Sequence, residues 1–170
     1  MSHLGKTGRL TTAAMLTALC VACMAGACLL PFGSLVLLVV AAFIPIAAVL
    51  RCGLGWGALC YAATAVLTLL LFPGQLKGLL FVVLLGHYGV CKSLIERLRN
   101  LPLEWVCKLL LCNAALALGW WLYTSVFAQD LTLPYGLWLM WGLANAAFVI
   151  FDLGMTAAIG WFQRRFFGQR

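Results

Sequence analysis

Charge is what this sequence has least of. Asp, Glu, Lys and Arg make up 9% of its 170 residues, and Asp and Glu together number four, against 65% hydrophobic residues and a mean hydropathy of +1.09. So little polar surface cannot meet water around a soluble domain, which excludes that class. The apolar and polar residues do not alternate in segments of about ten, so a membrane β-barrel is excluded as well. No H-E-x-x-H, no Ser/His/Asp arrangement, no pair of intramembrane aspartates and no G-x-x-x-x-G-K-[ST] loop occurs. An enzyme, and an ATPase in particular, is therefore not expected, and no cofactor is implied. Histidine is limited to His3 and His87, with no second His within a turn of His87, so a metal site is not expected either.

What the sequence does have is long apolar runs. A helix needs about 20 mostly apolar residues to cross the hydrocarbon of a bilayer, and six runs of suitable length fall at 11–30, 34–50, 54–72, 78–95, 103–127 and 135–162. The breaks "LPFG", "RCGLGWG", "FPGQLKG", "ERLRNLP" and "QDLTLP" collect Gly, Pro or charge. The expectation is an all-α integral membrane bundle of six transmembrane helices. One polytopic domain then spans 1–170, with tails at 1–10 and 163–170. Orientation follows from the basic residues, which are retained on the cytoplasmic side. Lys6, Arg9, Arg51, Lys92, Arg97, Arg99, Lys108, Arg164, Arg165 and Arg170 fall on one side of a six-span path, and Lys77 alone on the other. Both termini are thus expected in the cytoplasm of a bacterial cell, with the chain in its inner membrane. The formal charge of +7 reflects topology and attraction to anionic headgroups. No nucleic-acid motif competes for it. The first run ends in "AGAC", loosely like a lipoprotein cleavage site, but it is too long for a signal segment and an uncut first helix is expected.

Eight cysteines raise the question of redox chemistry, and Cys20 with Cys23 forms a C-x-x-C. Both lie inside the first run, outside any βαβ context, and Cys28, Cys52, Cys60, Cys91, Cys107 and Cys112 scatter without metal-ligand spacing. They read as small apolar packing residues.

The first run also places a small residue at every fourth position: Ala14, Ala18, Ala22 and Gly26. Such a row lets helix backbones approach closely in lipid, where little hydrophobic drive brings helices together. It serves either internal packing or the docking of another membrane subunit. The A-x-x-x-A pattern of Ala14, Ala18 and Ala22, together with "IPIAAVLRCGLGWGALCYAATAVL" from Ile44 to Leu67, resembles the substrate-binding S component of energy-coupling factor importers. In that family a Pro-containing second helix, a short basic Gly-rich turn and a third helix recur in this way. The resemblance implies capture of a vitamin, metal ion or similar small-molecule substrate near the extracellular face. It also implies docking through Ala14, Ala18 and Ala22, with Gly26 extending the row, onto a transmembrane coupling subunit driven by two cytosolic ATPases.

Ligand contacts are not carried over by the resemblance and come from the chemistry of the outer connections. Phe32, Gln75, Lys77, Asp130, Tyr135 and Trp138 fall there, with Trp120, Trp121 and Tyr123 near the outer end of the fifth run. Lys77 either attracts an anionic ligand group or snorkels to the headgroups. The aromatic residues form either an interfacial belt or a stacking surface. Within the membrane the polar residues are His87, Asn113, Asn145 and Asp152. A membrane-buried Asp is costly, so Asp152 is expected to face protein and to find a partner such as Lys92 or Lys108. Around Pro102, Glu96 with Arg99 and Glu104 with Lys108 stand at helical spacings, as solvated helix ends or as a contact for a partner. Two other functions fit the same architecture. One is a non-enzymatic scaffold like the rod-shape-determining proteins of cell-wall assembly, although no acidic residue follows the Gly-rich turn here. The other is a solitary proton-coupled transporter using Asp152 or His87.

Overall fold

An apolar segment in lipid has no water to bond its backbone, so it closes those bonds within itself as a helix. The computed structural model describes residues 5–96, 100–126 and 136–167, and within them no strand occurs. The elements are α1 (Lys6–Leu29), α2 (Ser34–Cys52), α3 (Leu54–Leu71), α4 (Leu76–Leu80), a π-helical segment Phe81–Leu85, α5 (Tyr88–Ile95), α6 (Leu101–Trp121), a second π-helical segment Leu122–Val126, and α7 (Leu137–Phe167). Taking α4 through α5 as one span and adding the second π-helical segment to α6, six helices among the described residues are long and apolar enough to cross a membrane. The chain is a multi-pass membrane protein.

Two bounds differ from the sequence expectation. α1 begins at Lys6, inside the segment read as a tail, and α7 runs on to Phe167. Basic side chains at a span end reach the headgroups while their backbone stays helical, so helices outrun their apolar stretches. At the start of α1 the Thr11 and Thr12 hydroxyls fold back onto the Thr7 and Gly8 carbonyls at 3.0 and 2.9 Å, adding bonds to those turns.

The chain forms two compact units, Met1–Gln129 and Asp130–Arg170. In the first, α1, α2 and α3 pack mutually, α5 lies on α2, and α6 lies on the first π-helical segment. One residue, Gly53, connects α2 to α3. Its φ of 104° lies in the region that favours glycine, and its amide closes the last turn of α2 on the Val49 carbonyl at 3.0 Å. The core joins Cys20, Met24 and Ala27 of α1 to Leu38, Ala41 and Ala48 of α2, with Cys60 and Phe81. Small side chains at these contacts bring backbones together. A Cβ added at Gly57 would collide with Val49, and one at Gly89 with Ile46.

Two of the helix defects are each met by a side chain of another element. Pro45 lies inside α2 and has no amide for the Ala41 carbonyl four residues earlier. The Cys20 thiol of α1 donates to that carbonyl at 3.3 Å instead. In the first π-helical segment the Gly86 amide bonds the Phe81 carbonyl at 2.7 Å, bypassing its usual acceptor, Val82. Tyr61 of α3 donates its hydroxyl to the Val82 carbonyl at 2.7 Å. The fourth span is therefore not one continuous α-helix.

The second unit is carried by α7. In it the Asn145 amide bonds the Trp141 carbonyl at 3.0 Å and the Thr156 hydroxyl bonds the Asp152 carbonyl at 2.8 Å.

Cys20→Ala should lower stability in mild detergent by about 0.6 kcal/mol and at most ~2 kcal/mol, the range for interhelical bonds in membranes. The loss should shrink in a Pro45→Ala background, where the replaced residue supplies the missing amide; equal losses in both backgrounds, measured by thermal unfolding, would contradict the pairing. The buried Thr68 hydroxyl has no hydrogen-bond partner. Thr68→Val should therefore be neutral or stabilising, by up to ~1 kcal/mol in the same assay.

Candidate functional site

α1 carries two rows of residues with opposite fates. Ala13, Cys20, Met24 and Ala27 are buried and face the core. Ala14, Ala18 and Ala22 are exposed beside large neighbours such as Met15 and Leu19. The 3.6-residue period sets these rows side by side on one cylinder, so the same helix has a filled face and an open one.

The open face is one wall of an apolar groove of about 600 Å³. Ala14, Ala18, Ala22 and Ala25 line it from α1, and Trp56, Leu59, Ala63 and Leu67 from α3. The hydroxyl that lines it is already engaged: Thr17 donates to the Ala13 carbonyl at 2.9 Å. The groove therefore presents hydrocarbon over an alanine wall, a surface against which a ridge of larger apolar side chains can close. Gly26 does not share this exposure. It is half-buried, and a Cβ there would come within 3.0 Å of Leu37 Cδ1 of α2, so its smallness serves packing inside the chain.

The residues expected to meet a small ligand are dispersed. Gln75 is exposed and precedes α4, and its carbonyl accepts from the Leu79 amide at 3.1 Å. Lys77, in the first turn of α4, directs its ammonium to α1, where it bonds the Ala27 and Leu30 carbonyls at 3.0 and 3.3 Å. These acceptors are among the last carbonyls of a helix, which lack intrahelical donors and carry the negative end of its dipole. In this arrangement Lys77 holds two helix ends together. Trp138 is exposed at the start of α7, while Asp130 and Tyr135 lie outside the described residues.

Of the intramembrane polar residues, His87 lies beside Tyr61 with ring centroids 6.1 Å apart and the ring planes tilted by 55°, next to the π-helical segment. The Asn113 amide returns to the Leu109 carbonyl at 2.9 Å, and Asn145 does the same one turn back on α7. Asp152 is buried. Lys92 and Lys108, both buried, converge on one carboxylate: Glu96 Oε1 lies 2.9 Å from Lys92 Nζ and 3.6 Å from Lys108 Nζ. The sequence spacing pointed Glu96 toward Arg99, and Arg99 lies outside the described residues. Among the described residues no cluster of three His, Cys, Asp or Glu side chains is placed to hold a metal ion.

Sequence reasoning missed the α3 wall of the groove and the bonds made by Cys20, Tyr61 and Lys77. A proline inside a transmembrane run signals a carbonyl in need of a donor, but no sequence rule names the donor. No family model matches the chain, and no curated protein or solved structure is significantly similar to it.

Lys77→Met should cost about 1 kcal/mol of stability through the uncapped end of α1, whereas Ala18→Leu, on an open face, should change stability by no more than about 0.5 kcal/mol. Thermal unfolding of both variants in detergent checks this contrast, and the reverse order would refute the assignment of the two sites.

Proposed function

We propose that this chain is the membrane-embedded substrate-binding subunit of an energy-coupling-factor-type importer, taking up a vitamin or similar micronutrient across the bacterial cytoplasmic membrane with both termini inside. The observation that carries the reading is the exposure of Ala14, Ala18 and Ala22 along an apolar groove, where internal packing does not consume them. A coupling subunit presenting an apolar helix fits that surface, because small residues allow the close van der Waals contact that drives association in lipid. The chain supplies binding and docking, and the hydrolysis of ATP belongs to the partner's ATPases.

The distribution of charge supports the orientation. The Cys52 sulfur lies 3.7 Å from the Arg9 carbonyl, so Lys6, Arg9 and Arg51 share one end of the α1–α3 unit, while Lys77 sits at the other against Leu30. Gln75, Lys77, Asp130, Tyr135 and Trp138 remain the proposed contacts for cargo on the outer side. An anionic cargo group reaching Lys77 would compete with the Ala27 and Leu30 carbonyls for its ammonium, linking capture to the end of the docking helix.

Tagged wild-type chain purified from its own membranes in mild detergent should carry a larger membrane subunit and two ATPases, identified by mass spectrometry. Ala18→Leu and, separately, Ala22→Leu should reduce that recovery by about tenfold, since overfilling a packed contact costs about 1–3 kcal/mol. Unchanged recovery in both variants would refute docking through this face. Recovery of cell-wall assembly proteins would favour a scaffold, and cargo uptake by the chain alone in vesicles would favour a solitary transporter.

A further inference from the structure

The groove has one basic end. No acidic residue precedes Glu96 in the sequence, so residues 1–95 carry positive charge only, as Lys6, Arg9, Arg51, Lys77 and Lys92. Lys77 lies at the far end of α1, and Lys92 is buried on α5. Lys6, Arg9 and Arg51 gather where α1 starts and α2 ends, a placement fixed by the contact of Cys52 with the Arg9 carbonyl, and all three are exposed. Lys6 stands one turn ahead of Leu10, the first α1 residue of the groove, and Trp56 opens the α3 wall at the same end. The first turns of α1 and α3 contain no acidic residue, and the N-terminus of α1 has no side-chain cap, so its dipole adds to the positive field there.

From this end the groove follows α1 from Leu10 to Ala25. At 1.5 Å per residue that is about 22 Å. One leaflet contributes about 15 Å of hydrocarbon, half of the bilayer core. A chain entering beside the basic residues therefore finds an apolar channel that continues through its whole leaflet. With the Thr17 hydroxyl bonded to its own helix, the wall along α1 asks its occupant for no hydrogen bond.

We propose that the α1–α3 groove is a binding site for an anionic phospholipid, with one acyl chain lying along Ala14, Ala18 and Ala22 and the headgroup phosphate held by Lys6, Arg9 and Arg51. Charge complementarity selects this occupant, because the cations supply for the phosphate what the apolar walls supply for the chain. The lipid fills the groove of the undocked subunit, and a protein helix that takes the same place displaces it. The site does not depend on which protein that is.

The test uses the purified full-length chain in mild detergent, without any partner, and native mass spectrometry after addition of phosphatidylglycerol or of phosphatidylcholine with the same acyl chains. One phosphatidylglycerol should be retained per chain, at least about tenfold more tightly than phosphatidylcholine, given the attraction expected of three basic residues at a membrane surface. The variant Lys6→Gln/Arg9→Gln/Arg51→Gln should bring phosphatidylglycerol to the phosphatidylcholine level. Ala18→Leu/Ala22→Leu should weaken both lipids by occupying the place of the chain. Helix content by circular dichroism confirms that each variant is folded, and the single variants Lys6→Gln and Arg51→Gln give the same ordering if the triple variant is not. Equal retention of the two lipids by the wild type would overturn the proposal, as would phosphatidylglycerol binding that the alanine variant leaves unchanged. Displacement of the lipid by glycerol phosphate alone would reduce the site to a headgroup contact and overturn the groove's part in it. Because no partner is present, these outcomes are independent of whether importer subunits co-purify.

Discussion

A carbonyl that a helix leaves without its amide cannot turn to water inside a bilayer. That constraint organises the first unit of this protein. The Ala41 carbonyl, left open by Pro45, accepts from Cys20, and the Val82 carbonyl, bypassed in the π-helical segment, accepts from Tyr61. The carbonyls at the end of α1 accept from Lys77. Each donor comes from a different element than its acceptor, so each repair is also a tertiary link. Defects that would weaken an isolated helix thus help to specify which helices lie together.

These links and the small residues work on the same distances. A thiol on a single Cβ reaches a neighbouring backbone only when the helices are close, and Ala41, Ala48 and Ala27 provide that closeness at the α1–α2 contact. The filled face of α1 is held this way, which leaves the adjacent alanines free for something outside the unit. A helix built from large residues on every face would match lipid tails well and offer a partner no special fit. The alanine wall instead presents a recess, and whatever fills it, lipid chain or protein helix, gains contact that the flat remainder of the surface does not give.

The helical membrane architecture was legible in the sequence because each of the six runs is long and apolar, and because Gly or Pro marks the breaks. The periodicity of Ala14, Ala18 and Ala22 was equally visible, but its facing was not: spacing alone places residues on a common stripe without saying which neighbour covers it. Gly26 continues the spacing yet meets Leu37, since its depth along α1 brings it to the start of α2. Lys77 was noticed for its isolation in the sequence, and the carbonyl it bonds lies some fifty residues away, a contact that no local pattern encodes. The π-helical segments escaped because an extra residue in a helical turn leaves an apolar run looking continuous. Gly86, whose missing side chain makes room for Phe81 and Tyr61, was the local trace of it.

The one-residue connection at Gly53 has a bearing on how the chain enters the membrane. α2 cannot be threaded and released on its own with α3 still to follow at leisure, because no slack exists between them. The two helices must cross as a hairpin, turning at a glycine next to Arg51, and Gly57 lets them zip together beside Val49 from the turn outward. Biogenesis of the protein then proceeds with paired segments rather than single ones, and the turn becomes the point at which the nascent chain commits to its topology.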